Sequence, residues 1–137
     1  MQKLVEIQKM LKAPKGQLNR FGNFRYRSCE DILEAVKPLL EGAMLTISDS
    51  IEEVGGRVYV KATATILAGA NWEHRVSVSA YAREALVKKG MDDAQITGSA
   101  SSYARKYALN GLFLIDDTKD VDTQNNSARV AEVKDRG

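Results

Sequence analysis

The sequence predicts an α+β domain in which an antiparallel β-meander packs against one long helix. Apolar and polar residues alternate over residues 43–50, 57–67 and 72–83, as expected of strands with one buried face. Residues 93–110 have helical periodicity, and this helix is the natural cover for the sheet, since an apolar sheet face must be buried. The length of 137 residues and the hydrophobic content of 44% favour one folded domain over a disordered chain.

Two helices are predicted before the sheet. The first spans residues 2–12, where leucine and isoleucine recur at helical spacing, and a proline and a glycine in residues 13–16 end it. The second begins after Ser28, which is followed three residues later by a carboxylate in the pattern of a capping box. Pro38 is expected to kink this helix or to mark its last turn, and Gly42 to close it.

Residues 17–27 interleave aromatic and basic side chains, among them Arg25, Tyr26 and Arg27. On an exposed segment such a pattern suits single-stranded nucleic acid, because guanidinium groups hold phosphates while rings stack on bases. An ordinary edge strand with its aromatic side chains inside and its arginines outside explains the pattern equally well. Both interpretations stay open at this point.

The alternation in the meander assigns its side chains to two faces. Valine, alanine and isoleucine occupy the inner positions, and two glycines, Gly55 and Gly56, form the first turn. The outer positions combine basic and aromatic residues, which are Tyr59, Lys61, Arg75, Tyr81 and Arg83. The connector that follows, residues 84–92, adds Lys88 and Lys89. Asp92 or Asp93 is expected to cap the next helix.

The helix within residues 98–122 is the central element of the predicted domain. Tyr103 and Tyr107 lie one turn apart on one face, beside a row of small residues at positions 100, 104 and 108. Arg105 and Lys106 are predicted to point away from this row and to stay free to meet an anion. Gly111 is predicted to stop the helix. Tyr107 is assigned to the core, whereas Tyr103 is a candidate stacking residue.

Charge is distributed unevenly along the chain although the net charge is only +2. Residues 1–27 carry seven basic residues and one acidic residue, whereas residues 28–53 carry one basic and seven acidic residues. Residues 54–115 are again basic, and residues 116–137 are acidic. The asymmetry is compatible with a basic groove for nucleic acid and equally with complementary faces that pack head to tail between subunits.

Several kinds of chemistry find no support in the sequence. The single cysteine, Cys29, allows no intrachain disulfide, is interpreted as structural, and indicates a reducing compartment. There is no glycine-rich phosphate loop, no nucleophile signature, and too few histidines and cysteines for an ordinary zinc site. The acidic cluster from Asp116 to Asp122 is the one metal candidate, and a solvated acidic tail is the favoured interpretation.

The chain resembles the Erf ("essential recombination function") family of phage single-strand annealing proteins. The segments that carry the resemblance, in order, are Ala13-Pro14-Lys15, Phe21-Gly22, Phe24-Arg25-Tyr26-Arg27-Ser28-Cys29-Glu30-Asp31-Ile32-Leu33-Glu34, Lys37-Pro38-Leu39-Leu40, Val78-Ser79-Ala80-Tyr81-Ala82-Arg83-Glu84, Lys88-Lys89-Gly90-Met91, Gly98-Ser99 and Ser102-Tyr103-Ala104-Arg105-Lys106-Tyr107-Ala108-Leu109-Asn110-Gly111-Leu112. They cover most of residues 1–122.

The resemblance implies a protein that binds single-stranded DNA, anneals complementary strands without ATP or another cofactor, and assembles into homo-oligomeric rings or filaments. It implies a Rad52-like core with a curved antiparallel sheet, no enzymatic activity, and a place in the cytoplasm of a bacterial host cell. A phage exonuclease or the host single-strand-binding protein is a possible partner. Family members usually continue into a separate C-terminal region, whereas this chain stops in a polar segment.

These inferences lead to a specific hypothesis. Residues 1–115 form the annealing and oligomerisation domain, and residues 116–137 form a polar, mobile tail. Ten side chains are the expected DNA contacts: Arg25, Tyr26, Arg27, Lys61, Arg83, Lys88, Lys89, Tyr103, Arg105 and Lys106. The alternatives are a protective single-strand-binding protein that does not anneal, a metal-dependent nuclease that uses Asp116–Asp122, and an oligomeric scaffold without DNA affinity.

Overall fold

The computed structural model describes residues 1–13, 17–19, 24–86 and 90–115, with the side chains of residues 17–19 and 24–26 excepted. The described elements are α1 (Gln2–Met10), β1 (Gln17–Asn19), β2 (Phe24–Tyr26), α2 (Cys29–Leu40), β3 (Met44–Val54), β4 (Arg57–Ala68), β5 (His74–Arg83) and α3 (Asp93–Phe113). Strands β3, β4 and β5 form an antiparallel sheet in that order, and β1 pairs with β2 in a small separate hairpin. The prediction of an α+β domain with an antiparallel meander is confirmed.

The sheet has the predicted turns and faces. Val54 pairs with Arg57 across the Gly55-Gly56 turn, where both glycines have positive φ, as a two-residue hairpin turn requires. The inner face of β4 is buried along its length, with Val60, Ala62, Ala64 and Ile66 at most 1% exposed. Strand β3 is longer than predicted and continues to Val54, because the whole of its length pairs with β4.

Helix α3 covers the inner face of β4 and β5, as predicted. Its small-residue row, Ala100, Ala104 and Ala108, is buried and belongs to the same core cluster as Ala62 and Ala64 of the sheet. Small side chains on both surfaces allow close packing of a helix on a sheet. The Asp92 side chain caps the helix by accepting a hydrogen bond from the backbone N–H of Gln95 (2.8 Å).

The prediction that Gly111 stops α3 is wrong. The helix continues to Phe113 and ends at Leu114, which takes the left-handed conformation common at helix ends. A Cβ atom at position 111 would lie 3.0 Å from Cγ1 of Val78 on β5. Glycine therefore suits this position, because a Cβ would make a tight contact where the helix closely approaches the sheet.

Helices α1 and α2 complete the core beside α3. Leu4 and Ile7 of α1 pack with Ile32 and Val36 of α2, and α1 ends at Met10, two residues before the predicted end. Both reciprocal hydrogen bonds of the capping box at Ser28 are present. Pro38 lies in the last turn of α2, as predicted. The Nε2–H of Gln8 donates to the Leu112 carbonyl (2.9 Å), which ties α1 to the end of α3.

The hairpin that joins β4 to β5 contains an unusual residue. Trp72 has φ +58°, which for a bulky side chain costs on the order of 1–3 kcal/mol. The strand predicted to begin at residue 72 begins at His74 instead, because the backbone N–H of Trp72 closes a turn on the Gly69 carbonyl (3.2 Å).

Within the described ranges, no helix has the combination of length and apolar character that crossing a lipid bilayer needs.

Candidate nucleic-acid interface

A cavity of about 350 Å³ lies between the end of β5 and the first half of α3. In the described part of the chain, β5 pairs only with β4, so its other edge is open at this cavity. We call the cavity the edge pocket. It is lined by Tyr81, Ala82, Arg83, Ala85, Ile96, Ser99, Ala100, Tyr103 and Tyr107. The edge pocket thus brings together three tyrosines and one arginine from two segments that are distant in sequence.

The rings of the edge pocket remain accessible. Tyr81 is 51% exposed and Tyr103 is 42% exposed, which is far more than a core tyrosine would be. The Nζ of Lys61 on β4 lies 5.7 Å from the centre of the Tyr81 ring, directly across the strand pair. Lys61, Tyr81, Arg83 and Tyr103, which the sequence singled out separately, therefore form one surface of cations and exposed rings.

The outer face of the sheet extends from the edge pocket toward the β4–β5 hairpin. Its central positions carry hydroxyl groups that pair across the strands: Thr63 with Ser79 (2.8 Å) and Thr65 with Ser77 (2.7 Å). All four side chains lie on the outer face and remain in contact with solvent. We call these two pairs the hydroxyl ladder. It presents neutral hydrogen-bonding groups between cationic residues at the two ends of the sheet.

A second cavity, of about 370 Å³, lies beside the N-terminus of α2. We call it the α2 pocket. Its lining comprises Arg27, Ser28, Cys29, Glu30, Ser99, Ser102, Tyr103 and Lys106. Tyr103 and Ser99 line both cavities, so the two pockets adjoin each other at these residues.

The prediction that Lys106 stays free to meet an anion is wrong. Lys106 is only 3% exposed, and its Nζ lies 5.3 Å and 5.1 Å from the ring centres of Tyr103 and Tyr107. Such distances are within the range of a cation–π interaction. Arg27 is also buried, at 8% exposed, and its Nε–H donates to the Ala13 carbonyl (2.8 Å). Both cations lie at the wall of the α2 pocket rather than on an open surface.

Arg105 is likewise not free. Its Nε–H donates to the carboxylate of Asp49 on β3 (3.1 Å), and the Ser101 hydroxyl donates to the other oxygen (2.6 Å). Burial by itself would raise the pKa of Asp49, but the two hydrogen bonds and the charge of Arg105 outweigh it and hold that pKa below its usual value. The two neighbouring cations that the sequence predicts to be free are thus a buried lysine and an arginine that is paired with Asp49 on the edge strand β3.

Cys29 has the surroundings of a structural thiol. It is 4% exposed, and burial, together with the charge of Glu30, raises its pKa above the ordinary value. A raised pKa disfavours the reactive thiolate at neutral pH. The interpretation of Cys29 as structural is therefore supported.

Several predicted contacts lie outside the described residues. Lys88, Lys89 and the Asp116–Asp122 cluster are among them, and the prediction of a mobile tail over residues 116–137 falls outside the described residues too. For Arg25 and Tyr26 only the backbone is described, in the β1–β2 hairpin. In the ranges that are described, no group of histidine, cysteine, aspartate or glutamate side chains could hold a metal ion.

Five side chains of this surface are not among the DNA contacts predicted from the sequence. Tyr107 was assigned to the core, but it is half-buried and lines the edge pocket. Ser99 and Ser102 received no role from the sequence, although they line the α2 pocket. The outward positions of Ser77 and Ser79 were visible in the alternation, but nothing in the sequence marks a hydroxyl as functional.

Comparison with known proteins gives two consistent results. The family model described as "ERF superfamily" matches residues 1–135. The "Essential recombination function protein" of Salmonella phage P22 is 61% identical over 137 residues, which cover 96% of this chain and 65% of that relative. No solved structure matches the chain. Because the family model spans nearly every residue, the chain belongs to the ERF superfamily.

Proposed function

We propose that this protein binds single-stranded DNA and anneals complementary strands without ATP during homologous recombination. The observation that carries the proposal is the edge pocket, where Tyr81, Arg83 and Tyr103 meet and Lys61 lies against the Tyr81 ring. The name of the phage P22 relative, a recombination function protein, is consistent with this role.

The chemistry of the edge pocket suits an unpaired strand. Base–aromatic stacking tolerates any sequence, since every base has a π-face, and a guanidinium group such as that of Arg83 can hold the neighbouring phosphate. A protein that pairs strands by complementarity needs contacts that ignore sequence. Rings and cations without an ordered set of base-reading amides meet this requirement.

Annealing also requires that the product duplex is released. In a duplex the faces of each base are covered by the neighbouring base pairs, so stacking on Tyr81 and Tyr103 favours the single strand over the duplex. Each subunit offers few cations at the edge pocket, and the binding strength would come from many subunits acting on one strand. We therefore include a homo-oligomeric ring or filament in the proposal, built on a Rad52-like arrangement of the sheet.

The remaining parts of the proposal concern the setting of the reaction. The protein holds and pairs strands without breaking a covalent bond, in the cytoplasm of a bacterial host cell. A phage exonuclease that exposes single strands, or the host protein that covers them, would be its functional neighbour. The chain spans 65% of the length of the phage P22 relative, so these activities are proposed for the region that the two proteins share.

The test is an annealing assay with two complementary labelled oligonucleotides, without ATP, over a series of salt concentrations. We expect faster pairing that weakens as salt rises, since phosphate contacts release counterions. Arg83→Gln should slow pairing, whereas Lys37→Gln, which removes the same charge from an exposed residue of α2, should not.

Other outcomes would redirect the assignment. Binding without acceleration would replace annealing by a protective single-strand-binding function. Neither binding nor acceleration at low salt would remove the DNA-related proposal for this chain. Cleavage of the oligonucleotides that needs Mg²⁺ and disappears in Asp116→Asn would establish a nuclease instead.

A further inference from the structure

The β4–β5 hairpin displays the only tryptophan of the chain, Trp72. Its side chain is 45% exposed and takes no part in the hydrophobic core. Its backbone lies in the left-handed region at φ +58°, where glycine or asparagine is normally preferred. A large ring is therefore exposed to solvent at a residue whose backbone conformation is unfavourable for a bulky side chain.

The loop around Trp72 is fixed by specific contacts. The backbone N–H of Trp72 donates to the Gly69 carbonyl (3.2 Å), and the backbone N–H of Asn71 donates to the Glu73 carboxylate (2.9 Å). The hydrogen bond from Asn71, then one from the backbone N–H of Glu73 itself, lower the pKa of Glu73, so its carboxylate stays charged in this role. Gly69, at φ +100°, leaves the space for it: a Cβ there would lie 2.6 Å from the Glu73 carboxyl group.

The other two non-glycine residues with positive φ in the described chain have ordinary explanations. Glu41 and Leu114 each follow the last residue of a helix, where this conformation satisfies the final carbonyl groups. Trp72 follows no helix, and a glycine would adopt the same turn without strain. The hairpin uses a left-handed residue at this position, where glycine or asparagine is the usual choice. A bulky side chain kept there at the cost of strain is a sign of function, and the exposed indole ring is what the strain preserves.

The surroundings of Trp72 indicate what the ring contacts. Exposed His74 and Arg75 lie two and three residues after Trp72, beyond Glu73, whose carboxylate is held by the Asn71 backbone N–H. Arg75 lies on the outer face of the sheet with Lys61 and Arg83. The hydroxyl ladder runs between the two ends of this face. Strand β5 is ten residues long, so the hairpin and the edge pocket are on the order of 30 Å apart along one continuous surface. Each end combines an exposed ring with a cation.

We propose that Trp72 stacks on an unpaired base of the same DNA strand that occupies the edge pocket, so that the strand runs along the outer face of the sheet. The inference rests on the proposed function. It adds a second stacking site at the hairpin and a path for the DNA strand between the two sites. Indole is the largest ring available for stacking, and Arg75, three residues further along on the outer face of β5, suits a phosphate of the same strand.

The single tryptophan makes the proposal directly measurable. Binding is followed by the anisotropy of a labelled single-stranded oligonucleotide, and tryptophan fluorescence is recorded in the same titration. We expect the fluorescence to be quenched in step with binding, and we expect an oligonucleotide of equal charge with abasic sites to bind more weakly without quenching. Binding with unchanged tryptophan fluorescence would overturn the stacking proposal and leave the proposed function intact, whereas absence of binding would overturn both.

Variants separate stacking from a structural role. Trp72→Gly removes the ring and relieves the backbone, so we expect an unchanged or higher melting temperature with about tenfold weaker binding, which corresponds to about 1.4 kcal/mol. Trp72→Phe keeps a smaller ring and should retain most of the affinity. If Trp72→Gly lowers the melting temperature and leaves the affinity unchanged, the ring has a structural role and the proposal is wrong. Tryptophan fluorescence that changes with protein concentration but not with DNA would place Trp72 between subunits and would also overturn the stacking proposal.

Discussion

The guanidinium group of Arg105 lies 3.1 Å from the carboxylate of Asp49 and so connects the middle of α3 to the edge strand β3. The Ser101 hydroxyl binds the second oxygen of the same carboxylate. Helix α3 lies mainly on β4 and β5, and this cluster adds a polar link from the helix to β3. The charge of Arg105 thus has a structural partner within the subunit.

Asp49→Asn should destabilise the fold in a way that depends on pH. The variant loses an exposed ion pair with supporting hydrogen bonds, and we expect a cost of about 0.5–1 kcal/mol at neutral pH. The folded-state pKa of Asp49 lies below its usual value, so the stabilisation is present above the unfolded pKa of about 3.9 and is lost as pH falls through the folded pKa. Urea unfolding at pH 7 and in strong acid measures the difference. An equal cost at both values would show that the charge of Asp49 contributes nothing.

Arg105→Ala and Lys106→Ala should have different effects although the residues are neighbours in sequence. Arg105 is 39% exposed, so its loss should cost less than about 1 kcal/mol of stability. Lys106 is 3% exposed and lies against two tyrosine rings, so its removal should cost on the order of 2 kcal/mol or more. Chemical unfolding of the single variants distinguishes them, and equal costs would contradict the burial of Lys106. A variant that combines both substitutions would lose stability through Lys106, so a DNA-binding test on it would not separate lost binding from lost folding.

Gly111→Ala should fail to give the stabilisation expected of a helix position. Replacing glycine by alanine within a helix normally gains about 1 kcal/mol. Here the new Cβ would lie 3.0 Å from Val78, and overpacking costs on the order of 1–3 kcal/mol. We expect no net gain in the native background and a gain in the Val78→Ala background. A double-mutant cycle by urea unfolding measures this coupling, and additive effects would mean that Val78 moves aside without cost.

Tyr81→Ala and Arg83→Gln should weaken DNA binding in different ways. Removal of a stacking ring should reduce affinity by about 1–3 kcal/mol with little change in salt dependence. Removal of a cation that holds a phosphate should reduce the slope of log affinity against log salt by about 0.7 for each phosphate of a single strand that is no longer neutralised. Fluorescence anisotropy over a salt series gives both quantities. Tyr81→Phe, which keeps the ring, is the control and should bind almost normally.

Local sequence determined much of this fold. The alternation of β4 and β5, the glycine pair at positions 55 and 56, and the capping boxes at Ser28 and Asp92 each specify an element through contacts with near neighbours. The small-residue row of α3 also predicted its close approach to the sheet, since the size of a side chain limits the separation of two surfaces. For these features the physical cause and the sequence signal coincide.

The tertiary structure alone decided which charged side chains are accessible. Arg105 and Lys106 are adjacent on one helix, and only the positions of β3 and α2 around that helix make one an exposed ion-pair partner and the other a buried cation. Gly111 shows the same limit, because its role depends on a valine that is 33 positions away in sequence. The sequence by itself determined the family, the helices and the faces of the strands. The joining of Tyr81, Arg83 and Tyr103 into one pocket required the chain to fold, because long-range packing places α3 beside the end of β5.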